Sequence, residues 1–323
     1  MINNPLLLIL GAGASKPYGF PLGSELKLEL CNLENDSSIF RHALVKNANL
    51  DDGKIREFAK SFRLSGIKSI DAFLAKRSEY ATIGKLAIAG YLLSKDHQIV
   101  AEHDLDDDWF CELWNALQSG VTNIQELKNN KIKIITFNYD YSLETSIHRA
   151  IVHTFGVSNE DAFSALQYIP ILHVYGCIKN IGSLSDLSSQ TVFNEQSLKS
   201  ASEGIKIIPE SRDSDDDFKT ARKWFEWSDN TCFLGFGFDE LNIKRLGFDS
   251  VISWNNQNQT SNPQVIASTF RMTNAETQLA RTRLGMGNAD SDQLRRLSGL
   301  NLVWSTSPLK SLMTIRNHIE ILT

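Results

Sequence analysis

The run Leu6-Leu7-Leu8-Ile9-Leu10, followed without a break by Gly11-Ala12-Gly13-Ala14-Ser15, decides the fold. Five aliphatic residues with no polar alternation suit a strand buried on both faces, as in a parallel sheet. The small residues after it let the chain turn sharply out of the sheet, and backbone with little side chain can approach a phosphate closely. Two further runs are short, largely apolar and likewise followed at once by small or polar residues. Ile132 to Phe137 leads into Asn138-Tyr139-Asp140, and Thr231 to Gly235 leads into Phe236-Gly237-Phe238. A fourth candidate is Ile169 to Tyr175, where Pro170 places the start of strand pairing after itself. Parallel strands bring their carboxyl ends to one edge, which is where ligands bind in open α/β sheets. The expectation is an α/β protein with a Rossmann-like parallel sheet and a helical insertion.

The insertion is read between the first two strands, over about residues 36–130. Ile55, Phe58 and Phe62, then Ile70, Phe73 and Leu74, recur at helical spacing. The acidic run Glu102 to Asp108 reads as a solvated loop or helix start, because sequential carboxylates do not converge easily on one ion. Asp213 to Asp217 precede a helical pattern, Phe218 to Trp227, and place negative charge at its start. Trp224 and Trp227, three apart on that helix, read as packing. Ser183 to Ser189 and Asn255 to Asn262 read as loops. Residues 1–323 are expected to form one α/β domain, with a candidate regulatory or oligomerisation region over about 245–323.

Composition narrows the function classes. The 323 residues carry 33 Lys and Arg against 38 Asp and Glu, a net charge of −5, with 42% hydrophobic residues. That is ordinary globular composition without the basic footprint of a dedicated nucleic-acid binder. The longest apolar run, Leu86 to Leu93, is far short of the ~20 residues that cross a bilayer. The start, Met-Ile-Asn-Asn-Pro, lacks the features of a signal peptide, so the expected location is cytoplasmic. Cys31, Cys111, Cys177 and Cys232 have no paired spacing for zinc or a disulfide framework, and are expected reduced and mostly buried. The histidines at 42, 97, 103, 148, 153 and 318 form no metal-ligand pattern either. No metal site is expected.

The glycine turn fits neither common phosphate motif. A dinucleotide fingerprint needs glycine where Lys16 stands, and a P-loop needs a closing Gly-Lys-Ser/Thr. Four motifs in fixed order resemble instead those of the sirtuin-like (silent information regulator) family. They are Gly11 to Ser15 with Gly19-Phe20-Pro21, Thr136-Phe137-Asn138-Tyr139-Asp140, Leu172-His173-Val174-Tyr175-Gly176, and Phe233 to Phe238 with Asn242 shortly after. The resemblance implies a pocket for NAD formed by Gly11, Ala12, Gly13, Ala14, Ser15, Pro21, Asn138, Tyr175, Gly235, Phe236, Gly237 and Asn242. NAD would be a substrate rather than a resident cofactor. This sequence departs from the family at Tyr175, where sirtuins carry histidine before the glycine, and in lacking the family's zinc module. Such zinc-lacking members resemble bacterial antiphage NADases, hydrolases that deplete NAD. That implies control by homo-oligomerisation, by a partner such as a HerA-like ATPase, or by a nucleotide signal.

Cleaving the bond between nicotinamide and ribose needs little acid catalysis, because the pyridinium is already a good leaving group. The protein must hold the ribose and place a water. Asn138 suits this, since an amide both donates and accepts, although an asparagine after a strand can also cap the next helix. His173 suits a general base near neutral pH if a strand presents 173 and 175 to one face, or else is a hydrogen-bonded core histidine. Asp140 either orients ribose and loop or supplies charge to a helix start. The expected catalytic set is therefore Asn138, His173 and Asp140. Alternatives are an NAD-dependent protein deacylase, a non-catalytic NAD or ADP-ribose sensor, and a nucleic-acid-acting member using Arg271, Arg281, Arg283, Arg295 and Arg296.

Overall fold

Six parallel strands form one sheet in the order β3-β2-β1-β4-β5-β6. They are β1 (Leu6–Leu10), β2 (Ile132–Thr136), β3 (Ile171–His173), β4 (Asn230–Leu234), β5 (Gln264–Ala267) and β6 (Leu302–Trp304). This computed structural model describes residues 1–35, 37–95, 108–179, 181–184, 187, 193–207, 216–248 and 264–284, and the backbone of 302–304. The fold is α/β and Rossmann-like, with helices on both faces of the sheet. Every residue of β1 is buried, and alternation splits them: Leu6, Leu8 and Leu10 enter one apolar cluster, Leu7 and Ile9 the other. Each such fully buried side chain is worth roughly 1.5–3 kcal/mol of transfer free energy. β3 begins just after Pro170, as its missing N–H requires. The stretch from 245 on, to which the sequence assigned no part in the sheet, supplies β5 and β6. At four and three residues they are too short to display a period.

Helices α1 (Ala12–Ser15), α2 (Gly23–Asn32), α3 (Ile39–Ala48), α4 (Asp52–Leu64), α5 (Ile70–Lys76), α6 (Ala81–Lys95) and α7 (Trp109–Gln118) fill the connection from β1 to β2. Asp51 and Ser69 cap α4 and α5 by accepting from Lys54 N and Ala72 N. Ile55, Phe58 and Phe62 face inward as their spacing requires, and Phe58, Phe62, Phe73 and Tyr80 pack ring against ring. Asp108 departs from the solvated reading. It is buried, caps α7 at Phe110 N and accepts from Tyr18 Oη at 2.8 Å. Residues 102–107 lie outside the described residues, as do Asn255 to Asn262.

Helices α8 (Ser142–Phe155), α9 (Asn159–Leu166), α10 (Glu195–Gly204), α11 (Asp216–Trp227), α12 (Glu240–Leu246) and α13 (Asn274–Arg283) complete the described elements. Asp216 and Asp217 occupy the first turn of α11, and Lys133 lies over the rings of Trp224 and Trp227, which pack as expected. Among the described residues no helix is long and apolar enough to cross a membrane. All four cysteines are free, but only Cys31 and Cys232 are buried; Cys177 is partly exposed and Cys111 exposed.

Candidate active site

The strand register levels the carboxyl ends of the three central strands, with Leu10 opposite Thr136 on one side and Leu234 on the other. The chain leaves β1, β2 and β4 at the same height through Gly11, Phe137 and Gly235. Between β1 and β4 the strand order reverses direction, and in open α/β sheets that switch point opens a crevice. A cleft of about 490 Å³ lies there. This is within the usual size range of small-molecule pockets, roughly 300–1,000 Å³. Gly11, Ala12, Ser15, Pro21, Asn138, Asp140, Phe236, Gly237 and Asn242 line it, so nine of the residues singled out from the sequence converge.

Asn138 is the pivot of the floor. Its Nδ2 donates to Gly11 O at 3.0 Å and to Ser15 Oγ at 2.8 Å, while its N–H donates to Thr136 Oγ1. It caps no helix. The Ser15 hydroxyl in turn donates a hydrogen bond to the Asp140 carboxylate. Asp140 Oδ1 also accepts from the N–H and hydroxyl of Ser142, so it both lines the cleft and secures the start of α8. Burial raises the Asp140 pKa, and the bonds from Ser142 and Ser15 oppose that rise.

The glycines act differently from the expectation. Gly13 N donates to Gly235 O, and a Cβ on Gly13 would lie 2.7 Å from Gly235 Cα. Gly235 itself has φ +57°, and a Cβ there would meet Ala14 N at 2.1 Å. The two turns are pressed backbone to backbone, so Gly13, Ala14 and Gly235 lie behind the cleft and do not line it. They shape the site by close approach.

The expectation for His173 and Tyr175 is corrected. β3 ends at His173, Gly176 N donates back to His173 O, and Gly176 takes φ +75°, so the alternation stops before Tyr175. Tyr175 belongs to the apolar cluster of Leu7 and Ile9, with its ring against Phe137 and Phe218. Its hydroxyl donates to Asn242 Oδ1 at 2.6 Å and accepts from Arg245 Nη1 at 2.9 Å. It therefore reaches the cleft through Asn242. Burial, partly offset by Arg245, pushes the phenol up to about 12.

His173 lines a second cavity, of about 590 Å³, with Glu144, Cys177 and Lys179. Its Nδ1 lies 3.0 Å from Asn138 O and its Nε2 lies 2.7 Å from Glu144 Oε1. A carbonyl oxygen and a carboxylate both only accept, so this geometry places a proton on each ring nitrogen. Burial lowers the imidazole pKa, but the charge and hydrogen bond of Glu144, with the Asn138 carbonyl and Asp140, outweigh it and the net shift is upward. An imidazolium has no lone pair with which to act as a base.

The opposite wall was not legible in the sequence. The helical insertion brings Lys27 from α2, and Lys68, Ser69, Ile70 and Asp71 from the start of α5, to the cleft. Asp71 Oδ1 accepts from Tyr139 Oη at 3.2 Å, and burial raises its carboxyl to about 6. In sequence, Ser69-Ile70-Asp71 reads only as a helix cap and first turn. Of the arginines considered for nucleic acid, Arg283 is committed within the fold, donating to Phe238 O at 2.7 Å, and Arg295 and Arg296 lie outside the described residues. Among the described residues no group of three His, Cys, Asp or Glu side chains is arranged to hold a metal ion.

No protein-family model matches this chain, and no curated protein matches it.

Proposed function

We propose that the protein is a sirtuin-like NAD glycohydrolase, which cleaves NAD to nicotinamide and ADP-ribose in the cleft at the β1/β4 switch point. The observation that carries this reading is the setting of Asn138: both Nδ2 protons are spent on Gly11 O and Ser15 Oγ, while its Oδ1 accepts no hydrogen bond from the described residues. The amide is thereby locked with an acceptor to offer to a ribose hydroxyl or a water. The cleft also suits the rest of the substrate. Phe20, Ile70, Leu92 and Phe236 provide apolar walls for the rings, and Lys27 and Lys68 provide positive charge for a pyrophosphate.

The four motifs support the reading further, because three of them meet at this one cleft although they are far apart in the chain. A role in antiphage defence through NAD depletion, with control by self-association or by a partner ATPase, belongs to the same proposal and rests on the resemblance. Incubating the purified protein with NAD and measuring released nicotinamide, with Asn138→Ala as control, tests it. Absence of nicotinamide release overturns it.

A second reading is favoured by His173, whose two ring nitrogens are both engaged away from the cleft. In it the protein binds NAD or ADP-ribose without breaking it. NAD binding by calorimetry without nicotinamide release identifies that case.

A further inference from the structure

We propose that Asp71, on the first turn of α5 in the helical insertion, is the group that takes up the proton released in the cleft. This rests on the NAD-cleaving reading and deepens it by naming the base that His173 does not supply. Asp71 lines the cleft together with Asn138 and Tyr139, so it stands in the same space as the amide that would hold ribose and water. His173 is turned to the second cavity with both ring nitrogens engaged. Asp140 is held by three donors, from Ser142 and Ser15, which leave its carboxylate committed to the floor.

The surroundings of Asp71 serve either of its protonation states. Tyr139 Oη lies 3.2 Å from Asp71 Oδ1 and 3.2 Å from Lys206 O. The hydroxyl has one proton. While Asp71 is ionised, that proton is shared between two acceptors. Once Asp71 is protonated, it can donate to the tyrosine oxygen, and the tyrosine proton passes entirely to the Lys206 carbonyl. Gaining a proton thus leaves both hydroxyl protons, that of Asp71 and that of Tyr139, with an acceptor. The charges facing Asp71 are mixed: Asp239 favours the protonated form, Arg245 the ionised one, and Lys27 and Lys68 stand on the same cleft wall. Burial is the largest influence and, with Asp239, outweighs Tyr139 and Arg245, so the carboxyl titrates at about 6. At neutral pH it is therefore ionised and close to the optimum for accepting a proton.

The step balances as follows. The oxygen of a cleft water forms a bond to the anomeric carbon of the nicotinamide ribose. The bond from that carbon to the ring nitrogen breaks, and its electron pair leaves with nicotinamide, neutralising the pyridinium charge. The water's proton goes to the Asp71 carboxylate and from there to solvent, leaving ADP-ribose.

The test compares the wild-type full chain with Asp71→Asn and Asp71→Glu, measuring nicotinamide release from pH 5 to 9 and NAD affinity by calorimetry. Asp71→Asn is expected to lower kcat by ~10²-fold or more, the usual contribution of a general base. Its NAD affinity should stay near wild type, because asparagine can still accept from Tyr139. The wild-type kcat should fall on the acid side of about 6, and that limb should vanish in Asp71→Asn and persist in Asp71→Glu. Asp71→Asn turnover near the wild-type value, or an acid limb unchanged by that substitution, overturns the assignment of Asp71 and leaves NAD cleavage standing. A wild-type chain that releases no nicotinamide, whether or not it binds NAD, overturns the cleavage reading, and this assignment with it.

Discussion

His173 touches Asn138 through the main chain: the imidazole Nδ1 sits 3.0 Å from the Asn138 carbonyl oxygen, while the Asn138 side chain points the other way, to Gly11 and Ser15. The residue read as a base from the sequence is thus a strut beneath the residue read as the ribose clamp. It braces the Asn138 main chain, and Glu144 fixes it from the far side.

This relationship sets the pH dependence of stability. The folded-state pKa of His173 is raised above the ordinary value of about 6.5, so its contribution is fully present below the unfolded pKa and is lost as pH rises through the folded one. Denaturant unfolding of wild type and His173→Ala should differ most at the acid end of the range and converge as pH rises past the folded pKa. A difference that grows with pH would contradict the assignment. In the same protein, Glu144→Gln should bring the His173 titration seen by NMR back toward the ordinary value.

Asn138→Ala should abolish nicotinamide release, because it removes the locked amide oxygen that the proposed reaction offers to a ribose hydroxyl or a water. The two lost donor bonds should cost stability of roughly 1–3 kcal/mol, within the range for buried hydrogen bonds, so the protein should still fold. Thermal unfolding alongside the activity assay checks both parts. Turnover equal to wild type at matched folding would remove Asn138 from the mechanism.

Two glycines should separate packing from binding. Gly13→Val drives its side chain into Gly235 Cα, 2.7 Å from the new Cβ, and is expected to destabilise the fold by more than ~2 kcal/mol, as overpacking at a rigid backbone contact does. Gly237, which lines the cleft, has nothing within 4 Å of an added Cβ. Gly237→Val should therefore leave the melting temperature near wild type while weakening NAD binding. Unfolding curves and NAD titrations of both variants test the contrast.

Tyr175→Phe should act on stability more than on turnover. The hydroxyl joins half-buried Asn242 to buried Arg245, and removing it takes a hydrogen bond from each, at a cost of about 1–3 kcal/mol. A variant with wild-type stability and no turnover would instead place the phenol in the chemistry.

The sequence alone determined the sheet's centre and the floor of the cleft. Leu6–Leu10, Ile132–Thr136 and Asn230–Leu234 are buried almost throughout, so their runs are largely apolar, and the small or polar residues that end them mark the ligand edge. Gly11, Ser15, Asn138, Asp140, Phe236 and Gly237 could be named because they fall in motifs that follow those strands and resemble those of the sirtuin-like family. Tertiary structure decided the rest. A strand's alternation holds only while the strand lasts, and whether β3 reached Tyr175 depended on Gly176 turning the chain, which sent His173 and Tyr175 to opposite faces of the sheet. Gly13 and Gly235 are 222 positions apart, and only the folded backbone shows that each is small to admit the other. Asp71 carries no local mark at all: its raised pKa comes from burial and Asp239, opposed by Tyr139 and Arg245, groups that the fold of the insertion against the sheet brings together across the chain.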